Sequence, residues 1–197
     1  MIDNILNPDE LLLVNKTKSL FFKMIKDFGS DPYLLSDHVP EMEKWAYFML
    51  DKYSQADKIV VLLSVWLHDI GHYPIPIEID HAVRSGDRAT KFLEDERCDT
   101  KLISQVFHCV RAHRCRDIMP ETLEAKIIAC IDSASHMTSS MYFDMMRNDK
   151  GKIEPRVWTK IERDYRDLAM FPEVQVELKS LYESWKILLK NYEDIKY

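Results

Sequence analysis

A short and almost entirely apolar run, residues 59–67, constrains the fold more than any other feature of the chain. Only Ser64 interrupts it, so a helix formed there is apolar nearly all round. Such a helix has to be covered by other elements on every side, and we expect it at the centre of the molecule. The run is far shorter than the ~20 residues that span a bilayer.

Turn signals are scarce along the chain. Glycine occurs only four times in 197 residues, which favours helices over many short strands. Hydrophobic residues make up 46% and charged residues 30%, which is typical of a globular protein rather than a disordered or fibrous one. The chain is long enough for one sizeable core. We therefore predict an all-α, single-domain helical bundle over residues 1–197.

Hydrophobic periodicity and capping residues predict where the helices lie. The predicted helices are 7–28, 36–53, 56–69, one that starts at Asp80, 100–114, 123–141, 155–168 and 173–192. Turn residues at 29–32, prolines at 73–79 and the polar segment 148–152 predict breaks between them.

Charge and cysteine spacing narrow the class of partner. A net charge of -6 leaves no basic surface of the kind that binds nucleic acid or an anionic membrane. The four cysteines form no C-x-x-C pair and the N-terminus has no signal pattern, so we expect reduced thiols in a soluble, cytoplasmic protein. These features favour a small-molecule substrate. The oligomeric state stays open, with a homodimer as one option.

His68 and Asp69 end the most apolar helix of the chain. A carboxylate in such a place is costly unless it is paired or bound to a cation. A divalent metal removes that cost, because a neutral imidazole and an ionised carboxylate are both good ligands. A capped helix end would also explain an isolated His-Asp pair, so the pair needs further support.

Asp132 and His38 supply that support. Asp132 follows the apolar run 127–131 within a predicted helix, where an ionised carboxylate again needs a partner. His38 lies four residues before Met42 and therefore on the buried face of its helix. Two imidazoles and two carboxylates suit a transition-metal or manganese centre with open positions for water and substrate.

The order His38, then His68 and Asp69, then Asp132, resembles the H…HD…D signature of the HD superfamily of metal-dependent phosphohydrolases. The resemblance covers about 35–140 and implies a helical core with N- and C-terminal helical extensions. It implies that the four residues hold a buried divalent metal ion, which is Mn, Fe, Ni, Co, Mg or Zn, with one or two ions per chain. It also implies an enzyme that hydrolyses a phosphate ester.

Three more histidines, His72, His81 and His113, extend the resemblance. In dinuclear members of the family, the carboxylate that matches Asp69 bridges two metals, and histidines such as His81 and His113 hold the second ion. In mononuclear members such histidines contact phosphate, and the sequence leaves both roles open. His136, one turn past Asp132, either reaches the site or is a packed core histidine.

The substrate is predicted from the same resemblance. The resemblance favours a nucleotide, either a nucleoside monophosphate or a deoxynucleotide. Residues 68–72 depart from the H-D-x-x-E-D form of alarmone hydrolases and are closer to the HD-x-GH form of deoxynucleotide triphosphohydrolases. Arg84 and Arg114 are the predicted phosphate contacts, since guanidinium groups stabilise phosphoryl oxygens. The alternative function is a non-catalytic sensor module that binds metal and nucleotide. The intact ligand set favours the enzyme.

Overall fold

The computed structural model describes residues 6–74, 78–147 and 155–194. Over these ranges the chain forms nine α-helices, one short 3-10 helix and no strand, so the predicted all-α class is confirmed. In chain order the α-helices are α1 (Pro8–Phe28), α2 (Leu35–Lys52), α3 (Lys58–Leu67), α4 (His81–Asp95), α5 (Thr100–Ala112), α6 (Leu123–Thr138), α7 (Met141–Arg147), α8 (Pro155–Asp167) and α9 (Pro172–Glu193).

The boundary between α6 and α7 differs from the sequence prediction. One helix was expected to continue to Met141, but α6 ends at Thr138 and α7 begins at Met141. Two serines explain the break, because their hydroxyls make local bonds that compete with the helix. Ser139 donates to the His136 carbonyl at 3.3 Å, and Ser140 donates to the Asp144 carboxylate at 2.5 Å. The break predicted at 148–152 lies outside the described residues.

The backbone divides into two compact units, Met1–Ala129 and Cys130–Tyr197, and the division falls within α6. The extent of a single domain over residues 1–197 stays a prediction. Within the described ranges, no helix is long and apolar enough to cross a bilayer.

Helix α3 is the centre of the first unit, as its composition predicts. Every residue from Val60 to Leu67 is buried, and α3 packs against α1, α2, α4 and α5. Each fully buried aliphatic side chain contributes ~1.5–3 kcal/mol, so this helix supplies much of the core. Trp66, the one large polar-tipped residue in α3, donates its indole N–H to Glu43 at 2.9 Å.

The second unit has its own core between α8 and α9. Tyr182 of α9 stacks on Tyr165 of α8 with ring centroids 3.9 Å apart. Trp185 of α9 donates its indole N–H to the carbonyl of Met137 at 2.9 Å. The buried aliphatic residues of α8 and α9 are Val157, Ile161, Val174, Leu178 and Leu189.

The turn after α3 is held against α4 by a glycine. The Gly71 N–H donates to the Ser85 hydroxyl at 2.8 Å. A Cβ at Gly71 would lie 2.4 Å from the His81 carbonyl oxygen and 2.5 Å from the Ser85 nitrogen, both of them backbone atoms of α4. Only glycine permits this approach, which brings the first residue of α4 beside the end of α3.

We expect Gly71→Ala to lower the free energy of unfolding by ~1–3 kcal/mol, since backbone atoms of α4 would have to move. Gly86→Ala is the matched control, because the three atoms nearest to its Cβ would be side-chain atoms of Arg111 and Phe107, at 2.9–3.1 Å. Urea unfolding of both variants measures the difference. Equal stabilities for the two variants would contradict the close approach at Gly71.

Candidate metal centre

Six of the predicted site residues converge in the first unit, where four helix ends meet. His38 lies in the first turn of α2, and His81 is the first residue of α4. His68 and His113 follow the last residues of α3 and α5 as their C-caps. Asp69 lies among them, with its side chain only 8% exposed.

One oxygen of Asp69 faces His38 and His68, two of the four predicted metal ligands. Its Oδ2 lies 3.3 Å from the Nε2 of His68 and 4.0 Å from the Nε2 of His38. These two nitrogens are 3.3 Å from each other. The two imidazole rings and the carboxylate are all buried, so solvent has little access to them.

The other oxygen of Asp69 faces a second set of imidazoles. Its Oδ1 lies 3.4 Å from the Nε2 atoms of His72 and His81 and 3.7 Å from that of His113. His81 and His113 bring their Nε2 atoms within 3.4 Å of each other. Asp69, His81 and His113 thus offer three ligand atoms within 4.8 Å of one another.

The buried Oδ1 of Asp69 accepts no hydrogen bond from any residue that the structure describes, although three nitrogens surround it. Two ligands that each lie ~2.1 Å from a common tetrahedral or octahedral ion are ~3.0–3.4 Å apart. The observed separations are close to that range. The residues present therefore fit a divalent metal ion.

Backbone carbonyls set the orientation of two of the rings. The Nδ1 of His68 lies 2.8 Å from the Val65 carbonyl, and the Nδ1 of His113 lies 2.6 Å from the Val110 carbonyl. A carbonyl oxygen only accepts, so in each ring Nδ1 carries a proton, and in the neutral ring Nε2 then presents a lone pair. Metal-binding histidines are commonly held in this tautomer by such a bond. Both carbonyls belong to the last turn of a helix, where backbone partners run out.

The charge state of the site also suits a cation. Burial alone would raise the pKa of the Asp69 carboxyl, but the His68 and His72 rings outweigh burial and hold that pKa well below its usual range. Burial lowers the pKa of His81 to about 3, against the opposing effect of Asp69. At neutral pH the carboxylate is therefore ionised and the His81 ring is neutral.

His72 differs from the other histidines of the site. Its ring stacks on His81 with centroids 4.0 Å apart and lies 4.7 Å from the ring of Tyr33. Its Nδ1 is buried and has no hydrogen-bond partner within the described part of the chain. Unlike the Nδ1 atoms of His68 and His113, this Nδ1 makes no bond to a backbone carbonyl of the described residues.

The two predicted phosphate contacts are engaged within the protein. Arg84 donates to the carbonyls of Tyr73 at 3.0 Å and Pro74 at 3.1 Å. Arg114 forms an ion pair with Asp80, the N-cap of α4. Burial alone would raise the pKa of the Asp80 carboxyl, but Arg114 outweighs burial and lowers it. Contact of either arginine with phosphate stays a prediction.

Asp132 belongs to α6 in the second unit, and its side chain is 15% exposed. Its Oδ1 lies 3.5 Å from the Nε2 of His136, one turn further along. The sequence analysis missed Asp164, which is 1% exposed and also contacts His136. A signal for it existed, because Val157, Ile161 and Asp164 lie on one face of α8 at helical spacing. The role of Asp132 as a ligand stays a prediction.

The HD domain family matches residues 35–137, just over half of the chain. This range contains His38, the His68-Asp69 pair and Asp132. HD domains bind divalent metals, and the superfamily consists in general of metal-dependent phosphohydrolases. No curated protein and no solved structure is significantly similar to the chain. The recognition made from the motif is confirmed: the chain belongs to the HD domain family.

Proposed function

We propose that this protein is a metal-dependent phosphohydrolase with a dinuclear centre, and that its substrate is a nucleotide. The observation that carries the proposal is the environment of Asp69. Its two oxygens face two different sets of imidazole nitrogens, at 3.3–4.0 Å and 3.4–3.7 Å. A carboxylate that bridges two cations needs this arrangement, whereas a mononuclear site needs only one set.

The ligands divide between the two ions as follows. His38, His68 and one oxygen of Asp69 would hold the first ion, with Asp132 as the fourth ligand by its likeness to the family signature. The other oxygen of Asp69, with His81 and His113, would hold the second. A set rich in imidazole favours Mn, Fe, Co, Ni or Zn over Mg, which prefers oxygen ligands and water.

The reaction is cleavage of a P–O bond, in which the oxygen of water goes to phosphorus and the leaving oxygen takes a proton. Divalent ions at this site would supply positive charge that polarises the phosphoryl group and acidifies water. Asp69, His68 and His113 hold their ligand atoms in place through burial and backbone hydrogen bonds. His72 lies outside the two proposed ligand sets but beside Asp69, and it would give a proton from Nε2 to the leaving oxygen.

A nucleotide is supported by the surroundings of His72. The ring of Tyr33 is beside it, and Tyr33 is 42% exposed. An exposed aromatic face next to a phosphate-hydrolysing site suits the stacking of a nucleobase. Arg84 and Arg114 are proposed to contact phosphate groups. Arg84 lies one turn after His81 on α4, and Arg114 follows His113 and pairs with Asp80, the N-cap of α4.

We expect two divalent ions per chain in protein purified with Mn²⁺ in the medium, and one ion in His81→Ala and His113→Ala. Metal analysis by mass spectrometry measures the ratio. His108→Ala is the matched control on α5, because His108 contacts the Glu121 N–H at 3.3 Å instead of the cluster. A single ion in the wild type that survives both substitutions would contradict the second set of ligands.

We expect release of phosphate or pyrophosphate from at least one member of a panel of nucleoside mono- and triphosphates in the presence of Mn²⁺ or Co²⁺. Asp69→Ala should lower kcat by at least ~100-fold, because the ions lose their shared ligand. Asp51→Ala is the control, as this aspartate is exposed in the last turn of α2. Metal and nucleotide binding without any turnover would instead identify a sensor module.

A further inference from the structure

The second unit contains a chain of buried polar groups that the proposed reaction does not use. Its central residue is Asp164 of α8, which is 1% exposed. Tyr142 donates to Asp164 at 2.9 Å, and the Lys160 ammonium lies 3.2 Å from the same carboxylate oxygen. Burial alone would raise the pKa of the Asp164 carboxyl, but the pKa is lowered, chiefly by the Lys160 ammonium. Asp164 is therefore an ionised, well-partnered anchor.

His136 connects this anchor to Asp132. Its Nδ1 lies 2.9 Å from the Nζ of Lys160 and 3.3 Å from the Oδ2 of Asp164. The shorter contact decides the tautomer: an ammonium group has no lone pair, so Nδ1 must accept and the ring proton lies on Nε2. The Nε2 atom lies 3.5 Å from the Oδ1 of Asp132, a contact longer than an ordinary N–H···O hydrogen bond.

We propose that His136 is a positioning residue, which holds the carboxylate of Asp132 through its Nε2–H while Lys160 and Asp164 fix its own tautomer. The inference rests on the proposed role of Asp132 as a metal ligand. A ligating carboxylate that accepts a hydrogen bond on one oxygen is limited in rotation, so its other oxygen is preorganised for the ion.

A purely structural role explains the chain of contacts less well. Charged groups buried together often stabilise a fold no better than apolar side chains of similar volume. His136 and Asp164 are buried in the second unit, Lys160 is partly buried beside them, and the chain of contacts includes a candidate ligand, Asp132. A residue that contacts a metal ligand can fix the orientation of that ligand, so the contact of His136 with Asp132 suits a role in metal binding.

The test is a Mn²⁺ titration of the intact, metal-free protein by calorimetry at a temperature well below unfolding. We expect His136→Leu to weaken the binding of Mn²⁺ by ~10–100-fold. His136→Gln keeps an N–H donor at about the place of Nε2 and should recover most of that loss. Lys160→Met leaves the imidazole in place but frees its tautomer, and should also weaken binding.

Two further variants separate the possible failures. Tyr142→Phe removes one bond to Asp164 without touching His136, so it should lower the thermal unfolding temperature and leave the Mn²⁺ affinity unchanged. Asp132→Ala should lower the affinity at least as much as His136→Leu. If Asp132→Ala changes nothing, the proposed ligand set is wrong.

If Asp132→Ala weakens binding while folded His136→Leu and Lys160→Met bind Mn²⁺ as the wild type does, the positioning role is wrong and the proposed function stands. Should His136→Leu fail to fold, the comparison of His136→Gln with Lys160→Met decides. Positioning predicts weaker Mn²⁺ binding in Lys160→Met than in His136→Gln. Wild-type affinity in Lys160→Met would overturn the inference.

Discussion

Asp69 is ionised and buried directly after the most apolar helix of the chain. An isolated carboxylate is strongly disfavoured there, so the surroundings must supply positive charge or ligand geometry. The groups that surround Asp69 are imidazoles from four helix ends, not lysine or arginine side chains. Several ring nitrogens converge on one carboxylate, and the buried Oδ1 of Asp69 still accepts no hydrogen bond within the described residues, so the arrangement fits a metal centre better than a simple ion pair.

Helix ends suit this purpose for a reason that lies in the backbone. The last carbonyls of α3 and α5 lack helical partners, and His68 and His113 donate to them through Nδ1. The same bond that completes the helix end also turns Nε2 toward Asp69. Gly71 then allows α4 to approach the turn after α3 so closely that His81 reaches the second oxygen. The same contacts therefore complete the helix ends, select the tautomers of His68 and His113 and orient the ligand atoms.

In the second unit, Asp164, Lys160 and His136 form a polar chain of contacts, largely shielded from solvent, that includes Asp132. Asp132 thus has the same type of support on α6 that backbone carbonyls give to His68 and His113. The difference is chemical. An imidazole is oriented by an acceptor at its second nitrogen, whereas a carboxylate is oriented by a donor at its second oxygen, and a histidine whose Nδ1 accepts from Lys160 is such a donor.

The sequence by itself determined the all-α class, most helix boundaries and the family, because these depend on local periodicity, capping and a short motif in chain order. His68 and Asp69 stood out as polar residues at the end of an apolar run, whereas His72, His81 and His113 came from the resemblance to the family. Only the tertiary structure decided which oxygen of Asp69 each imidazole faces, that Arg84 binds the Tyr73 and Pro74 carbonyls, and that Asp164 supports His136. These contacts join residues up to 44 positions apart, such as Asp69 and His113, and depend on how helices pack rather than on the pattern within any one of them.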